Sequence, residues 1–209
     1  MKEGYYTKTR AEMLAFIPSG VQTILDIGCA EGFFGALLKK TLNAEVWGVE
    51  MDAEAAMRAR EKSINVLVGD ITHLLEELPE TYFDCIICND ILEHLADPYA
   101  LLSALKRKLD KKGVIVFSLP NVRYFGNLKN FLMQKDWQYQ DEGILDKTHL
   151  RFFTEKSIRR MFGDCGYEIL TIRGINPTRS WKFTLLNILT LGNLSDARYL
   201  QFAGVAKPK

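Results

Sequence analysis

The sequence has almost no net charge, because 27 lysines and arginines face 26 aspartates and glutamates. Such a balance gives no global positive potential that would attract nucleic acid or an anionic membrane, although it permits a local patch. The sequence also has no added basic domain. A nucleic-acid substrate is therefore not expected.

Long hydrophobic runs are missing as well. No apolar run reaches the roughly 18 residues that a membrane-spanning helix needs. Residues 1–10 are polar and aromatic and have no apolar core of the kind found in signal peptides. We therefore expect a cytoplasmic protein without a transmembrane segment.

Cysteine is scarce, with four residues at positions 29, 85, 88 and 165. Cys85 and Cys88 have the spacing of a redox or zinc pair. They fall, however, inside the apolar run Phe83–Cys88, which predicts a buried strand, and side chains three residues apart on a strand point to opposite faces. We interpret the pair as two small core residues.

Short apolar runs alternate with helical patterns along most of the chain. The predicted strands are Ile24–Ile27, Val46–Val49, Val66–Val68, Phe83–Cys88 and Val114–Leu119. The predicted helices are Phe33–Leu42, Ala53–Lys62, Thr72–Glu77 and Pro98–Leu109. This order is typical of a doubly wound α/β fold with a parallel sheet.

Two later runs, Tyr167–Ile172 and Tyr199–Ala206, predict a closing pair of strands that forms an antiparallel hairpin at the edge of the sheet. The sequence thus predicts a mostly parallel seven-stranded sheet with helices on both faces and an antiparallel edge strand. Residues 1–209 show no repeat and no interdomain linker, so we expect one domain.

The alternation stops after Leu119, and about thirty residues rich in aromatics and charge precede Thr154, which opens another predicted helix. Connections in α/β folds usually have about two to six residues. We therefore expect the insertion at about 120–153 to have a function.

The first strand leads into the segment Asp26–Gly32, and a helix follows at once. Small residues at 28, 30 and 32 allow a ligand to approach the backbone closely, while the helix start offers N–H groups. Glu50 ends the second strand, where doubly wound folds place a carboxylate that accepts hydrogen bonds from ribose hydroxyls. Asp70 follows the third strand and suits an exocyclic adenine amine.

Asp26 separates two classes of ligand. A dinucleotide site places a pyrophosphate beside this loop, and a carboxylate there would repel it. A positively charged amino-acid group would be attracted instead. An NAD-linked oxidoreductase nevertheless stays an alternative, because it shares the loop and Glu50.

These motifs together resemble the class I S-adenosylmethionine-dependent methyltransferases, the Rossmann-like family, over nearly the whole chain. The first motif of that family, acidic-x-Gly-x-Gly-x-Gly, corresponds to residues 26–32, with Ala30 in place of the middle glycine. The ribose acid corresponds to Glu50 and the adenine-contacting acid to Asp70. The motif after the fourth strand corresponds to residues 89–95.

The resemblance implies S-adenosylmethionine as cofactor and assigns a role to each motif. The methionine portion would contact Asp26, Gly28, Cys29, Ala30 and Gly32. The ribose would contact Glu50, and the adenine would contact Asp70, Ile71 and Met51. Asn89 and Asp90 would border the methionyl and sulfonium end. Alternatively, Asp70 caps a turn and Met51 belongs to the core.

Methyl transfer needs a base only if the acceptor atom holds a proton, and His94 and His149 are the candidate bases. His73 is expected at the surface. His94 and Glu93 alternatively fix their loop by hydrogen bonds. Asp90, Glu93 and His94 also resemble a run that takes a divalent ion in quinone-biosynthesis O-methyltransferases, but one short loop rarely supplies a complete site, so no metal is expected.

The segment Asp146–Thr154 resembles a motif of bacterial methyltransferases associated with glycan and small-molecule pathways. We expect Tyr124, His149 and Arg151 to contact the acceptor, with an aromatic wall formed by Tyr124, Phe125, Trp137 and Tyr139. Alternatively, His149 and Arg151 pin the insertion to the sheet.

Two further segments have open interpretations. Tyr5 and Tyr6 either close over the cofactor as a lid or pack the N-terminal helix. The stretch Phe183–Leu191 is expected to be amphipathic or buried near the acceptor mouth, or to contact a second subunit; the alternative is contact with a lipid-linked acceptor.

The sequence therefore predicts a methyltransferase acting on an oxygen or nitrogen of a small molecule or glycan intermediate. A non-catalytic cofactor-binding module is a second alternative, since a fold alone does not imply turnover. The oligomeric state has no signal in the sequence.

Overall fold

Seven strands form one sheet in the order β3-β2-β1-β4-β5-β7-β6 in a computed structural model, which describes residues 10–62 and 64–209. The strands are β1 Thr23–Ile27, β2 Glu45–Glu50, β3 Asn65–Val68, β4 Phe83–Asn89, β5 Leu109–Pro120, β6 Tyr167–Pro177 and β7 Tyr199–Pro208. Tyr5 and Tyr6 lie outside the described residues.

Helices lie on both faces of the sheet. They are α1 Phe33–Leu42, α2 Ala53–Glu61, α3 Ile71–Leu74, α4 Pro98–Leu105, α5 Phe125–Gln134, α6 Glu155–Asp164 and α7 Trp181–Leu189. Short 3₁₀ helices occupy Ala11–Phe16, Leu75–Glu77, Leu92–His94 and Ser195–Arg198. No helix in the described part of the chain is both long and apolar enough to cross a membrane.

Strands β1 to β5 pair in parallel, whereas β7 runs antiparallel to both of its neighbours, β5 and β6. The edge strand β6 therefore pairs only in the antiparallel sense, which confirms the predicted fold class. The reversed direction of β7 has a functional consequence, because its amino end meets the carboxyl ends of the parallel strands.

The core has two layers because side chains alternate across the sheet. Leu25 and Cys88 pack in the layer that contains α4 and α6, while Ile24 and Cys85 pack in the layer that contains α1 and α2. Cys85 and Cys88 are buried, unbridged and on opposite faces. The prediction of two small core residues is confirmed.

The predicted position for the end of the fourth helix was wrong. Helix α4 stops at Leu105, and Leu109 already belongs to β5, where it pairs with Phe83. Between them Lys108 is buried, and its ammonium donates to the carbonyl of Leu78 at 3.0 Å. The periodic pattern of apolar residues cannot detect this tertiary contact.

Other boundaries shift less. The predicted helix Thr72–Glu77 is one turn, α3, followed by a 3₁₀ turn, and β6 continues five residues beyond the predicted end at Ile172, to Pro177. Helix α2 ends at Glu61, with Lys62 as its cap. Thr154 caps α6 as predicted and accepts a hydrogen bond from the backbone of Ser157.

Gly32 begins α1 with a positive φ of 75°, and a Cβ there would lie 2.9 Å from the Cα of Ala59. We expect Gly32→Ala to lower the free energy of unfolding by at least about 1 kcal/mol more than Gly20→Ala, because crowding adds to the cost of positive φ. Gly20 is the matched control, since it has φ of 82° and a Cβ there would meet no atom within 4 Å. Urea unfolding of both variants measures the difference, and equal losses would contradict the packing argument.

Candidate functional site

A cavity of about 500 Å³ opens at the carboxyl ends of β1, β4 and β5. Asp26 enters it from β1, Asn89 from β4 and Gln201 from the reversed strand β7. The insertion closes one side through Gly143 and His149. Of the predicted site residues, the cavity is lined by Asp26, Gly28, Cys29, Ala30, Asn89, Asp90, His94 and His149.

The loop after β1 is held by its own backbone. The N–H groups of Gly28 and Cys29 both donate to the carbonyl of Val49, and Gly32 donates to Cys29. These loop N–H groups are therefore engaged within the protein. The expectation of N–H groups available to a ligand concerns the start of α1 and stays a prediction. A Cβ on Gly28 would lie 2.2 Å from the side chain of Ile91, which explains the glycine at that position.

Glu50 fastens this loop to the end of β2. One carboxylate oxygen accepts from the N–H of Ala30 at 2.9 Å, and the other accepts from the N–H of Asp52 at 2.9 Å. Each oxygen keeps a second lone pair that can accept from a hydroxyl. Glu50 and Gly32 are not among the residues that line the cavity, so their contacts with a ligand stay predictions.

Asp26 is the most deeply buried acid of the loop, with 3% of its surface exposed. Burial raises the pKa of its carboxyl to about 7, Arg10 opposes this rise, and Glu50 adds to it. A buried carboxylate without a full counter-charge is attractive to a cationic ligand group.

Arg10 is a site residue that the sequence analysis missed. Its guanidinium forms an ion pair with Asp90 and donates to the hydroxyl of Ser118 at 2.9 Å. Asp90 also accepts from Gln201 at 2.7 Å. Arg10 belongs to no motif, and tertiary structure alone brings it to the acids after β1 and β4.

Two unusual features occur at the end of β4. Both polar atoms of the Asn89 side-chain amide are buried without a hydrogen-bond partner among the described residues. Asp90 has a positive φ of 52°, a conformation that non-glycine residues rarely adopt. Orphaned polar atoms and strained backbone are typical of ligand sites.

The predicted adenine residues lie outside the cavity lining. Asp70 caps α3, and hydrogen bonds from the backbone and side chain of Thr72 lower the pKa of its carboxyl. Ile71 is buried, whereas 73% of the Met51 surface is exposed, so the alternative of Met51 as a core residue was wrong. Adenine contacts by all three stay predictions.

His94 and His149 face each other with ring centroids 4.7 Å apart. Nδ1 of His149 lies 3.0 Å from the carbonyl of Ile144, and Nδ1 of His94 lies 3.3 Å from the carbonyl of Thr148. Because a carbonyl only accepts, this geometry fits the tautomer in which Nδ1 donates and Nε2 is left available to accept. Burial, and then His149, lower the pKa of His94.

Glu93 completes this acceptor cluster, which we define as Glu93, His94 and His149. Its carboxyl is fully buried and finds no hydrogen-bond partner among the described residues, and burial raises its pKa well above the ordinary value. One ligand atom from each of the three residues lies within 4.8 Å of the others. The cluster can therefore hold a proton, or a divalent cation of the kind bound by two imidazoles and a carboxylate.

Arg151 does not line the main cavity, so its contact with the acceptor stays a prediction. Its guanidinium donates to the carbonyls of Leu150 and Ala96, and its backbone N–H donates to Glu93. Arg151 thus pins the insertion to the loop after β4, which was the stated alternative.

The predicted aromatic wall does not line the main cavity either, so its contact with the acceptor also stays a prediction. Tyr124 lines a neighbouring cavity of about 290 Å³. Trp137 and Tyr139 instead pack around Phe152, and Phe125 packs on Phe183. His73 is exposed, as predicted.

Comparison with known proteins identifies the family. Residues 3–172 match the family model of the methyltransferase domain. The chain belongs to this methyltransferase family. The match ends within β6, so α7 and β7 of this methyltransferase-family chain lie beyond it.

Curated relatives match part of this methyltransferase-family chain. An uncharacterised methyltransferase of Mycobacterium bovis is 33% identical over 116 residues, which cover 52% of this chain and 57% of that protein. A ubiquinone biosynthesis O-methyltransferase of Pseudomonas fluorescens is 34% identical over 104 residues, which cover 47% of this chain and 44% of that protein. The chain spans about half the length of these curated relatives.

Solved structures share the methyltransferase fold along nearly the whole chain. A SAM-dependent methyltransferase of Archaeoglobus fulgidus has a TM-score of 0.66 and 23% identity, and the match covers 97% of this chain and 92% of that one. An S-adenosylmethionine-dependent methyltransferase of Mesorhizobium loti has a TM-score of 0.63 and 18% identity, with 93% and 95% covered. At these identities the likeness concerns the fold.

The buried carboxyl of Asp26 makes the free energy of unfolding depend on pH. The pKa of its carboxyl is about 7 in the folded protein against 3.8 ordinarily. The unfolded chain therefore releases this proton first, and the ligand-free protein loses stability as pH rises from about 4 to about 7. Asp26→Asn should raise the free energy of unfolding by about 2–4 kcal/mol at pH 8, from about 1.4 kcal/mol per pKa unit.

Urea unfolding of both proteins between pH 4 and pH 8 measures this effect. The advantage of the asparagine variant should shrink steadily toward pH 4, because near its ordinary pKa of 3.8 the carboxyl of the unfolded chain also begins to hold its proton. A difference that does not vary with pH would assign it to packing.

Proposed function

We propose that this chain is an S-adenosylmethionine-dependent methyltransferase that methylates an oxygen or nitrogen of a small molecule or glycan intermediate. The observation that carries the proposal is one continuous cavity that joins the acid-lined loop after β1 to the acceptor cluster. A methyl donor at one end and an acceptor at the other would share that cavity.

The cofactor end fits a zwitterionic amino-acid group. Asp26 and Asp90 offer carboxylates to an ammonium group, and Asn89 offers an unpaired amide. Arg10 is the only lysine or arginine among the described residues that line the cavity. We assign it to the carboxylate of the cofactor's methionine portion, since a carboxylate among acids needs a cation.

The same features disfavour an NAD-linked oxidoreductase. A pyrophosphate would face the carboxylates of Asp26 and Asp90, which would repel it. The N–H groups at the tip of the loop after β1 are also already engaged by Val49 and Glu50. The family match and the charge of the cavity both support the methyltransferase proposal.

When bound, S-adenosylmethionine supplies a methyl carbon activated by a positively charged sulfur. The chain's residues would orient the acceptor and remove its proton. Nε2 of His94 or His149 would take the proton of an acceptor hydroxyl as the oxygen forms its new bond to carbon. The relatives named as O-methyltransferases support a hydroxyl-bearing small molecule.

The role of Arg10 predicts a selective loss of affinity. Arg10→Ala should weaken binding of S-adenosylhomocysteine at least about tenfold, because a charged hydrogen bond contributes about 1.5–3 kcal/mol. Binding of 5′-methylthioadenosine, which has no amino-acid group, should change little. Glu50→Ala should weaken both ligands, since both carry the ribose.

Calorimetry with the two ligands measures these affinities. Equal weakening of both ligands by Arg10→Ala would assign Arg10 to the shape of the loop. No binding of either ligand to the parent protein would refute the proposed cofactor.

The acceptor cluster predicts a loss of rate without a loss of cofactor affinity. His94→Ala and His149→Ala should each lower methyl transfer at least about tenfold, the usual scale for a lost acid–base group. S-adenosylhomocysteine affinity should stay within about twofold, because neither ring is assigned to the cofactor. His73→Ala is the matched control, since His73 is exposed and lies outside the cavity.

The acceptor is found first by screening metabolite pools for transfer of a labelled methyl group. Dialysis against a chelator then distinguishes an acceptor cluster that acts as a base from one that binds a metal ion. We expect the rate to persist, because burial raises the pKa of the Glu93 carboxyl and so favours its uncharged form, which attracts a cation less. A loss that Mg²⁺ or Mn²⁺ restores would assign the cluster to a metal and overturn the assignment of a base.

A further inference from the structure

Helix α7 exposes its apolar residues to solvent. Trp181, Leu185, Ile188 and Leu189 recur at the spacing of one helical face, and 70%, 51%, 65% and 71% of their surfaces are exposed. Only Phe183 of this helix is buried. An amphipathic helix in a globular protein normally turns such a stripe toward the core.

Helix α5 extends this apolar surface. Phe125 on α5 packs against Phe183 on α7 with ring centroids 5.5 Å apart, so the two helices are neighbours. Phe131, Leu132 and Met133 near the end of α5 are exposed as well. We call the exposed apolar residues of α5 and α7 the apolar face. Monomeric soluble proteins rarely keep a surface of this kind without a partner.

The charged residues within the two segments that carry the apolar face are all basic. Residues 121–135 and 177–194 contain five lysines and arginines and no aspartate or glutamate. Arg123 pairs with Asp196, but Lys129, Lys135, Arg179 and Lys182 take part in none of the ion pairs among residues 10–62 and 64–209. In a chain of net charge +1 this is a local cationic patch.

We propose that the apolar face binds the interface of an anionic phospholipid bilayer. Leucine, isoleucine and tryptophan side chains enter the boundary between headgroups and acyl chains, while basic residues at the rim contact anionic headgroups. The charge complementarity selects a membrane over a second copy of this chain, since two such patches would repel each other.

The apolar face lies next to the neighbouring cavity, which in turn adjoins the main cavity. The neighbouring cavity beside α5 is lined by Phe131 and shares Ile144 and Leu200 with the main cavity. Binding through α5 and α7 would therefore bring both cavities to the bilayer surface. An acceptor with an apolar tail would reach the acceptor cluster from the lipid, a consequence that rests on the proposed function.

Sedimentation with vesicles tests the proposal. The protein should sediment with vesicles of phosphatidylcholine and phosphatidylglycerol, much less with phosphatidylcholine alone, and less as salt increases. The double variant Leu185→Asn/Ile188→Asn and the charge variant Lys129→Glu/Lys182→Glu should each lower partitioning at least about tenfold. Met57→Asn is the matched control, because Met57 is equally exposed but lies on α2.

Three outcomes would overturn the proposal: the α7 variants bind vesicles like the parent, the parent binds no anionic vesicles, or light scattering finds a dimer that these variants dissociate. Calorimetry with S-adenosylhomocysteine on the same variants keeps the two proposals distinct. Vesicle binding without cofactor binding would refute the proposed function alone. Unchanged cofactor affinity in variants that no longer bind vesicles would show that the face acts independently of the cofactor.

Discussion

Burial of carboxyl groups at one edge of the sheet is the constraint on which the site depends. Asp26, Glu50 and Glu93 are all buried there, and their surroundings offset the free-energy cost of removing each carboxyl from water to different extents. Glu50 accepts two backbone N–H groups, whereas Glu93 has no partner among the described residues and Asp26 has only nearby Arg10. Glu50 thereby joins the loop after β1 to the loop after β2, while the carboxyls of Asp26 and Glu93 can still be stabilised by a proton or a cation.

The insertion converts this edge into a cavity with two chemically different ends. It returns to the loop after β4, where the carbonyl of Glu93 accepts from the N–H groups of Leu150 and Arg151. This anchoring brings His149 against His94 although the two residues are far apart in sequence. Asp26, Asp90 and Arg10 then line one part of the cavity, and the two imidazoles line another together with Glu93.

The overall charge balance of the chain conceals an uneven distribution. Acidic residues concentrate in the main cavity, while basic residues surround the apolar face of α5 and α7. A net charge near zero excludes a strong global field but leaves local fields intact, since screening confines interactions between exposed charges to about 8–10 Å. The charge of each surface of this protein is therefore set by where the fold places its charged residues, and not by the overall composition.

Local sequence patterns determined the parts of this protein that depend on neighbouring residues. The order of strands and helices, the cap at Thr154, and the loop from Asp26 to Gly32 follow from apolar periodicity, capping chemistry and glycine spacing. Tertiary structure alone decided which distant groups meet. It brought Arg10 to Asp90 and turned Arg151 toward a backbone carbonyl. It also left the stripe of α7 in solvent. The sequence does not reveal these outcomes, because contacts between residues far apart in sequence have no local periodicity.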